Sequence, residues 1–499
     1  MDSSVAQNPV ANGATAGGAA PTGTAMDAPR PIDFSGAPRI PKRIAAVILN
    51  SLKGGVVPRI GLPYITVGRE TEIRALLTDL DLIADGGASF RFLVGRYGAG
   101  KSFLLQTIRT HAMGENFVVA DADLSPERRL QGGQGQGLAT YRELIRNLST
   151  KTRPEGGALM LVLDRWVAAM QGLPSDASPD GTVSDGEARV RAFCASLEEM
   201  VHGYDFSRML MLYYRATVEG DDAMRGYVAK WLRGEYRTKT EAKGELGSTA
   251  IITDDDWYDY IKLLAAFLQG AGYRGLLVLI DELVNLYKIP NAISRQYNYE
   301  KILQMYNDTL QGKARHLGII MGGTPTSVED RRRGVFSYEA LRSRLTQGRF
   351  AREGMRDMLA PIIRLHPLTY EELLILIEKL AQIHAGYFGY TPALTELDLV
   401  GFLTAEFGRV GAESHLTPRE VIRDFIELLD IACQNPNTSL PELLGSAGAK
   451  DGAAAAPTPD ATVAPGAAGV PGSAGAPGPV AMPASATGRS DAEFAEFTL

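Results

Sequence analysis

The sequence contains little cysteine and no long apolar run. Its two cysteines, Cys194 and Cys433, lie far apart in the chain, which argues against a disulfide framework or a cysteine-based metal site. The six histidines show no H-x-x-x-H or H-E-x-x-H spacing, so we do not expect zinc. No apolar stretch reaches the roughly 20 residues that span a bilayer, and the amino terminus lacks a charged-then-apolar signal pattern. We therefore expect a cytoplasmic protein with no membrane partner and with magnesium as its only metal.

A strong charge of either sign is also missing. The formal net charge is -7 and the isoelectric point is about 5.6, so the overall electrostatics do not indicate a nucleic-acid-binding protein. A local patch of basic residues remains compatible with this net charge. Hydrophobic residues make up 45% of the 499 residues, enough for two or three domains with cores of their own.

Both ends of the chain have a composition that disfavours folding. Residues 1–38 and 446–490 consist largely of Ala, Gly, Pro, Thr and Ser without apolar periodicity. Such segments bury too little apolar surface to offset their chain entropy, and we predict that both are disordered. The final segment, Asp491–Leu499 (DAEFAEFTL), carries two phenylalanines among acidic residues. It is either a solvated tail or a peptide that docks on a partner or on the protein's own body.

Between these ends, short apolar runs alternate with helical patterns, which predicts an α/β fold. Five runs have apolar residues on both faces, as buried parallel strands do. They occupy residues 90–95, 116–124, 275–282, 316–325 and 361–368. We divide the chain into an N-terminal helical segment (39–88), an α/β domain (89–368) with a helical insert at about 138–270, and a C-terminal helical domain (369–445).

A phosphate-binding loop is indicated at Gly95–Ser102 (GRYGAGKS), which fits G-x-x-x-x-G-K-[ST] between an apolar strand and a helix. Glycines let backbone N–H groups curl around a phosphate, and the positive end of the helix adds attraction. Lys101 would reach the β- and γ-phosphates, and the Ser102 hydroxyl would ligate magnesium. The predicted nucleotide contacts of this loop are Gly95, Gly98, Ala99, Gly100, Lys101, Ser102 and Phe103.

A pair of carboxylates follows the third apolar run, at Asp281 and Glu282. Carboxylates at the end of a buried strand are costly unless they ligate a cation or find partners. Asp281 would hold magnesium, directly or through water, and Glu282 would polarise the attacking water. The pair therefore predicts ATP hydrolysis rather than simple binding. The alternative is that the two residues only cap the following helix.

Polar and basic residues follow the fourth run. Thr324 lies where its hydroxyl would contact the γ-phosphate or the attacking water, although a threonine before proline is equally a turn residue.

An arginine-rich span then contains Arg342 and Arg344, our candidates for completing a neighbouring copy's site by stabilising the transferring phosphoryl group. The alternative is a solvated or DNA-facing basic surface. A glycine-glutamine segment at residues 129–138 would contact DNA, a partner or nothing.

The order of these motifs resembles that of AAA+ and related ATPases with an additional catalytic glutamate, in which the two motifs are called Walker A and Walker B. The segment YITVGRETEIRAL (64–76) looks like the box that opens such modules and packs near the adenine, which implies contacts from Val67, Gly68 and Arg69. The C-terminal helical domain would then be a lid. Arg419 stands where a lid arginine of this class reaches the phosphates, the alternative being an ordinary surface arginine.

Four segments indicate which group of these ATPases the chain resembles. GRYGAGKSFLL, ADLSPERRL, LIDELVNLYK and TPREVIRDFIELLD together resemble the P-loop ATP-binding proteins of BREX bacteriophage-defence systems, over about residues 44–436. The compact size favours the small D-type component. The resemblance implies an ATPase that uses ATP and Mg²⁺ and acts with a helicase or other defence proteins, and on double-stranded DNA.

Three functions remain open from the sequence. The first is a self-assembling, ATP-hydrolysing motor or switch, that is, a homo-oligomer. The second is a binding or signalling module in which ATP is a ligand with little turnover. The third is a DNA-loader-like ATPase outside defence that grips duplex DNA through its arginines, for which affinity should fall steeply with salt.

Overall fold

A computed structural model describes residues 39–172, 186–346, 348, 356–392, 394–408, 417–438 and 442–443. The segments for which we predict disorder (1–38 and 446–490) and the C-terminal peptide (491–499) lie outside these residues. The elements up to the second strand are α1 (Lys42–Lys53), α2 (Leu62–Ile65), α3 (Glu70–Ala84), β1 (Ala88–Val94), α4 (Lys101–Gly114) and β2 (Val118–Asp123).

Helices fill the described residues between the second and third strands. They are α5 (Gln136–Arg146), α6 (Leu159–Gln171), α7 (Gly186–Glu198), α8 (Gly203–Glu219), α9 (Asp222–Leu232), α10 (Lys239–Leu246) and α11 (Trp257–Gly270). The remaining elements are β3 (Leu276–Asp281), α12 (Val284–Tyr287), α13 (Ala292–Leu310), β4 (Leu317–Gly323), α14 (Pro325–Glu329), a 3₁₀ turn (Val335–Ser337), α15 (Glu339–Leu345), β5 (Ile362–Arg364), α16 (Tyr370–Phe388), α17 (Glu396–Gly408) and α18 (Pro418–Gln434).

The five strands form one parallel sheet in the order β2-β3-β4-β1-β5. The predicted α/β fold with buried parallel strands is thus confirmed. The strand β5 is shorter than the sequence indicates, ending at Arg364. Pairing continues only through Leu365, whose N–H donates to Val94 O, and Pro367 has no N–H to extend it.

Alternate side chains of the strands enter different cores, as the two-residue period of a strand requires. On one face, Phe92, Val278 and Met321 pack with the helices between β2 and β3 and with α13. On the other face, Leu93 and Leu279 pack with α3 and α4. Both faces are therefore covered, which explains the continuous apolar runs.

A third core joins the two ends of the described chain. Helix α1, at the N-terminal end, packs against α16 and α18 through residues such as Ile48, Leu380 and Phe425. The helix α18 is strongly amphipathic, and at its start Glu420 accepts hydrogen bonds from the N–H and the hydroxyl of the N-cap residue Thr417. Among the described residues, no helix is both long enough and apolar enough to cross a membrane.

Candidate functional site

The phosphate loop runs from the end of β1 into α4. Gly98 and Gly100 have φ of +74° and +90°, in the left-handed region that favours glycine. Gly100 is the N-cap of α4 and supplies no capping side chain, so the first-turn N–H groups of this 14-residue helix remain available to an anion. The backbone thus has the shape and polarity that a phosphate requires.

Lys101 is the first residue of α4, and its ammonium lies over the loop. The Nζ donates to Gly95 O and Arg96 O, at 3.0 Å each. Burial lowers the pKa of Lys101, an effect that the carboxylates of Asp281 and Glu282 oppose. A cation held by loop carbonyls next to two carboxylates is placed to neutralise an incoming polyphosphate.

The sheet order brings the acidic pair to this loop. Strand β4 separates β1 from β3, so the carboxyl ends of all three strands meet at one edge. The Ser102 hydroxyl donates to Asp281 Oδ2 at 3.1 Å, although the two residues are 179 positions apart in sequence. A hydroxyl and a carboxylate in this arrangement are oxygen ligands of the kind that Mg²⁺ prefers.

Glu282 has an unusual backbone conformation. Its φ is +63°, which is uncommon for a non-glycine residue and often marks a functional site. The Glu282 N–H donates to Asp281 Oδ1 at 2.8 Å, so the strained turn also holds the aspartate carboxylate. The following helix α12 has Leu283 as its N-cap, without a side-chain capping bond. The simple capping role that the sequence left open is therefore not what these carboxylates do.

A third carboxylate, not anticipated from the sequence, lies beside the pair. Asp123 ends β2 directly opposite Asp281 in the strand register. Burial and the charges of Asp281 and Glu282 raise the pKa of Asp123, against a smaller opposite effect of Arg128. The next residue, Leu124, donates its N–H to Asp281 O at 3.1 Å. Asp123 belongs to the ADLSPERRL segment, whose resemblance to BREX proteins was the available signal.

Arg69 is buried and hydrogen-bonds to the backbone of the phosphate loop. Its Nη2 donates to Ala99 O at 3.1 Å and to His366 O at 2.9 Å. Arg69 and Val67 both line the cavity next to the loop, whereas Gly68 lies outside that lining. Gly68 has φ +66°, and a Cβ there would lie 2.4 Å from the Glu372 carboxyl group. The Val-Gly-Arg segment thus joins the loop to the start of α16.

Helix α18 lies beside the same loop. A Cβ at Gly98 would lie 2.6 Å from Thr417, the N-cap residue of α18. Pro418, Arg419 and Ile422 of α18 line the cavity. Arg419 is close enough to Lys101 for its charge to lower that pKa, although burial is the larger cause. The predicted lid arginine is therefore at the cavity, together with Pro418, and Thr417 lies beside Gly98 of the phosphate loop.

One cavity combines these polar groups with an apolar wall. Its polar end contains Ala99, Gly100, Lys101, Ser102, Asp281 and Glu282, together with Tyr97. Its apolar residues are Leu52, Val56, Val57, Ile65, Val67, Phe103, Leu368, Leu376 and Ile422. A ligand with an anionic tail and a flat, weakly polar ring matches both ends. The apolar wall comes from four distant segments, which is why the sequence indicated only Val67 and Phe103.

The remaining predicted residues lie outside the cavity lining. Gly95 N–H donates to Gly323 O at 3.1 Å and so joins β1 to β4. Thr324 caps α14 by accepting a bond from Ser327 N–H at 3.1 Å, yet it keeps a hydroxyl proton to donate. On α15, Arg342 pairs with Glu339 at 3.3 Å and Arg344 donates to Ala340 O at 2.7 Å. Both arginines thus contact their own helix rather than this chain's acidic pair.

The model of the family described as BREX system ATP-binding protein BrxC/D matches residues 40–447. A search of curated proteins found no match.

Proposed function

Because the chain belongs to the family of BREX system ATP-binding proteins BrxC/D, a family of phage-defence systems, we propose that it hydrolyses ATP with Mg²⁺ in the cavity described above. The observation that carries the proposal is the 3.1 Å contact between Ser102 Oγ and Asp281 Oδ2 beside the phosphate loop. Without a cation the two groups hydrogen-bond to each other. With Mg²⁺ they would both be ligands, and the ion would neutralise phosphate charge.

The chain's own groups then have separate roles. The N–H groups at the start of α4 and the Lys101 ammonium would bind the phosphates. Glu282, next to Asp281 at the edge of the sheet, would accept a hydrogen bond from the attacking water and orient it. Thr324, at the end of the intervening strand β4, would donate its hydroxyl proton to the γ-phosphate or the water.

Two groups would complete the site from outside the α/β core. Arg419 of α18 would contact the phosphates from the lid side, since it already lines the cavity. Arg342 and Arg344 would act in a neighbouring copy, because among the described residues Arg342 pairs with Glu339 and Arg344 donates to Ala340 O, both on the same helix, and neither lines the cavity. This arrangement supports a homo-oligomer of D-type subunits, with an ATPase domain at 89–368, an insert at about 138–270 and a lid at 369–445.

The wider role follows from the family rather than from the site. We propose that the oligomer acts with a helicase or other defence proteins on double-stranded DNA. The exposed arginines Arg331 and Arg332 support a DNA contact because counterion release favours cationic surfaces.

Steady-state ATP hydrolysis by the wild type and by Glu282→Gln tests the proposal. We expect specific activity to rise with protein concentration and the variant to be at least about 100-fold slower, because it loses its water-orienting carboxylate. Its ATP affinity should remain near that of the wild type. Repeating the assay with duplex DNA tests the substrate. A wild type that binds ATP but is no faster than the variant, with or without DNA, would favour a binding or signalling module.

A further inference from the structure

One residue of the phosphate loop, Tyr97, has no role in the mechanism proposed above. It is the third residue of GRYGAGKS, at a position that the pattern G-x-x-x-x-G-K-[ST] leaves open. The residue is 56% exposed, and it also lines the cavity beside the loop, at the polar end that contains Lys101, Asp281 and Glu282. A large side chain next to the phosphate-binding groups is placed to contact the ligand that binds there.

The backbone that carries Tyr97 forms a defined turn. The Ala99 N–H donates to Arg96 O at 3.2 Å, which closes a four-residue turn with Tyr97 in its second position. Gly98, in the third position, has φ +74°, as a type II turn requires there. Ala99 O in turn accepts a bond from the buried Arg69 at 3.1 Å. The Tyr97 side chain therefore extends from a loop whose conformation a ligand need not impose.

The ring of Tyr97 lies next to the ammonium of the loop lysine. The Lys101 Nζ is 5.4 Å from the ring centroid, within the roughly 6 Å over which a cation and an aromatic face attract each other. Lys101 is the group that would bind the β- and γ-phosphates. The phosphates that Lys101 binds would therefore lie next to Tyr97 as well.

The hydroxyl of Tyr97 is a hydrogen-bond donor that the chain leaves unused. Among the residues that the structure describes, it forms no hydrogen bond within the protein. Burial raises the pKa of Tyr97, and the negative charges of Glu282 and Asp281 raise it further, so the hydroxyl keeps its proton near neutral pH. Because both charges act on this hydroxyl, it lies near the acidic pair at the polar end of the cavity.

The place of this donor in the cavity decides which phosphate it would meet. The apolar wall would take the adenine ring, and the acidic pair marks the polar end, where water would attack the last phosphate. A hydroxyl near the acidic pair would therefore meet the terminal phosphate, which ATP has and ADP lacks. We propose that the Tyr97 hydroxyl donates a hydrogen bond to the terminal phosphate of ATP and thereby makes the cavity prefer ATP over ADP. The proposal rests on the function proposed above only in that ATP binds in this cavity with its phosphates along the loop.

Isothermal titration calorimetry with the full-length chain tests this proposal. The two ligands, each added with Mg²⁺, are ADP and adenylyl imidodiphosphate, an analogue that keeps the terminal phosphate of ATP but resists hydrolysis. We expect Tyr97→Phe to bind the analogue about tenfold more weakly than the wild type, because a hydrogen bond to a charged group is lost. Its affinity for ADP should be unchanged. The matched control is Tyr297→Phe on α13, at a tyrosine that is 52% exposed and outside that cavity, and it should bind both ligands like the wild type.

The substitution isolates the hydroxyl, because phenylalanine keeps the aromatic ring next to Lys101 at a residue that is largely exposed. Equal binding of the analogue by Tyr97→Phe and the wild type, an equal loss of affinity for ADP, or the same loss in Tyr297→Phe would each overturn the proposal.

The titrations require no turnover, so the two proposals can fail separately. If Tyr97→Phe weakens binding of the analogue alone but the wild type does not hydrolyse ATP, the proposed hydrolysis is wrong and the role of Tyr97 stands. If the wild type hydrolyses ATP and Tyr97→Phe binds both ligands like the wild type, the role of Tyr97 is wrong and the hydrolysis stands. A wild type that binds neither ligand would overturn both.

Discussion

The position of the Asp281 carboxylate depends on a glycine in the neighbouring strand. A Cβ at Gly322 of β4 would lie 2.2 Å from Asp281 Oδ1, far inside van der Waals contact. Gly322 does not adopt a positive φ, so alanine is compatible with its backbone. Substitution here therefore changes the carboxylate position rather than the strand conformation.

From this contact we predict that Gly322→Ala lowers the rate of ATP hydrolysis by about 100-fold, since a displacement of about 1 Å in an active site has effects of that size. ATP binding without magnesium should be retained, because the phosphate loop is unchanged. Hydrolysis rates and nucleotide binding would be measured side by side. The control is Gly318→Ala in the same strand, where a Cβ meets the terminal Cδ1 of Ile83, which can move. Unchanged hydrolysis in Gly322→Ala would contradict the role of Asp281.

At the scale of elements, helix α18 carries two exposed arginines with different surroundings. Arg419 lines the cavity, whereas Arg423, one turn later, pairs with Asp424 at 3.1 Å. We predict that Arg419→Ala weakens ATP binding about tenfold, equivalent to about 1.4 kcal/mol, because a charge-assisted contact with phosphate is lost. Arg423→Ala should bind ATP like the wild type. Titration with a fluorescent ATP analogue measures both, and equal effects would show that Arg419 has no specific role.

The packing of α16 and α18 against α1 includes a buried histidine. His384 on α16 has Nδ1 at 2.9 Å from the Tyr390 hydroxyl and Nε2 at 3.1 Å from Asp430 Oδ1 on α18, and Asp430 also pairs with Lys53 of α1. Burial lowers the pKa of His384, and the bond to Asp430 only partly opposes this effect. The neutral ring suits both bonds, accepting from the tyrosine hydroxyl and donating to the carboxylate.

This pKa shift makes the stability of the packing between α1, α16 and α18 depend on pH. A histidine whose pKa is lower in the folded state gives full stability above its unfolded pKa of about 6.5, and stability falls as pH decreases below that value. We predict that the thermal unfolding midpoint falls more between about pH 7 and pH 5 in the wild type than in His384→Gln, which does not titrate there. Differential scanning fluorimetry at each pH makes the comparison. Identical pH profiles would show that His384 does not control this dependence.

The sheet was the most predictable part of the fold. All five strands lie within the apolar runs found in the sequence or extend them by two residues, because strands buried on both faces need continuous apolar stretches. The strand order was not predicted, since it depends on pairing between residues far apart in the chain. For the same reason, the apolar face of α1 did not reveal from the sequence that this helix packs against the C-terminal helices.

Local sequence patterns indicated the phosphate loop and the acidic pair, because their residues are contiguous and their chemistry is specific. Contacts made across the fold could not be found in this way. The bonds of Arg69 to Ala99 O and His366 O, and the contact of Gly98 with Thr417, join segments that are distant in sequence. The sequence suggested an adenine contact for Arg69, and the structure adds a bond to the phosphate loop itself.

At the scale of the whole molecule, the cavity lies between the phosphate loop, at the carboxyl edge of the sheet, and the third core, which α1, α16 and α18 form. Its lining draws on the phosphate loop, on the segment around Val56, and on α16 and α18. The arginine pair of α15 is outside this lining, so a complete site in our proposal requires a second copy. This requirement can be tested without knowing the number of subunits.

Mixing two inactive variants provides that test. Glu282→Gln removes the water-orienting carboxylate, and Arg342→Ala/Arg344→Ala removes the arginines that would act on the neighbouring copy. We predict that each variant alone hydrolyses ATP very slowly. Because a site between copies needs Glu282 from one subunit and the arginines from the next, random assembly of an equal mixture should restore roughly a quarter of the wild-type rate.

The control for this experiment replaces the exposed Arg331 and Arg332 by alanine, which preserves α15 but removes as much positive charge. This variant should hydrolyse ATP at close to the wild-type rate without duplex DNA. If the arginines of α15 act within their own chain, every subunit in the mixture lacks one required group and no activity returns. A mixture that stays inactive, while both variants assemble like the wild type in sedimentation, would therefore rule out a site shared between copies through these arginines.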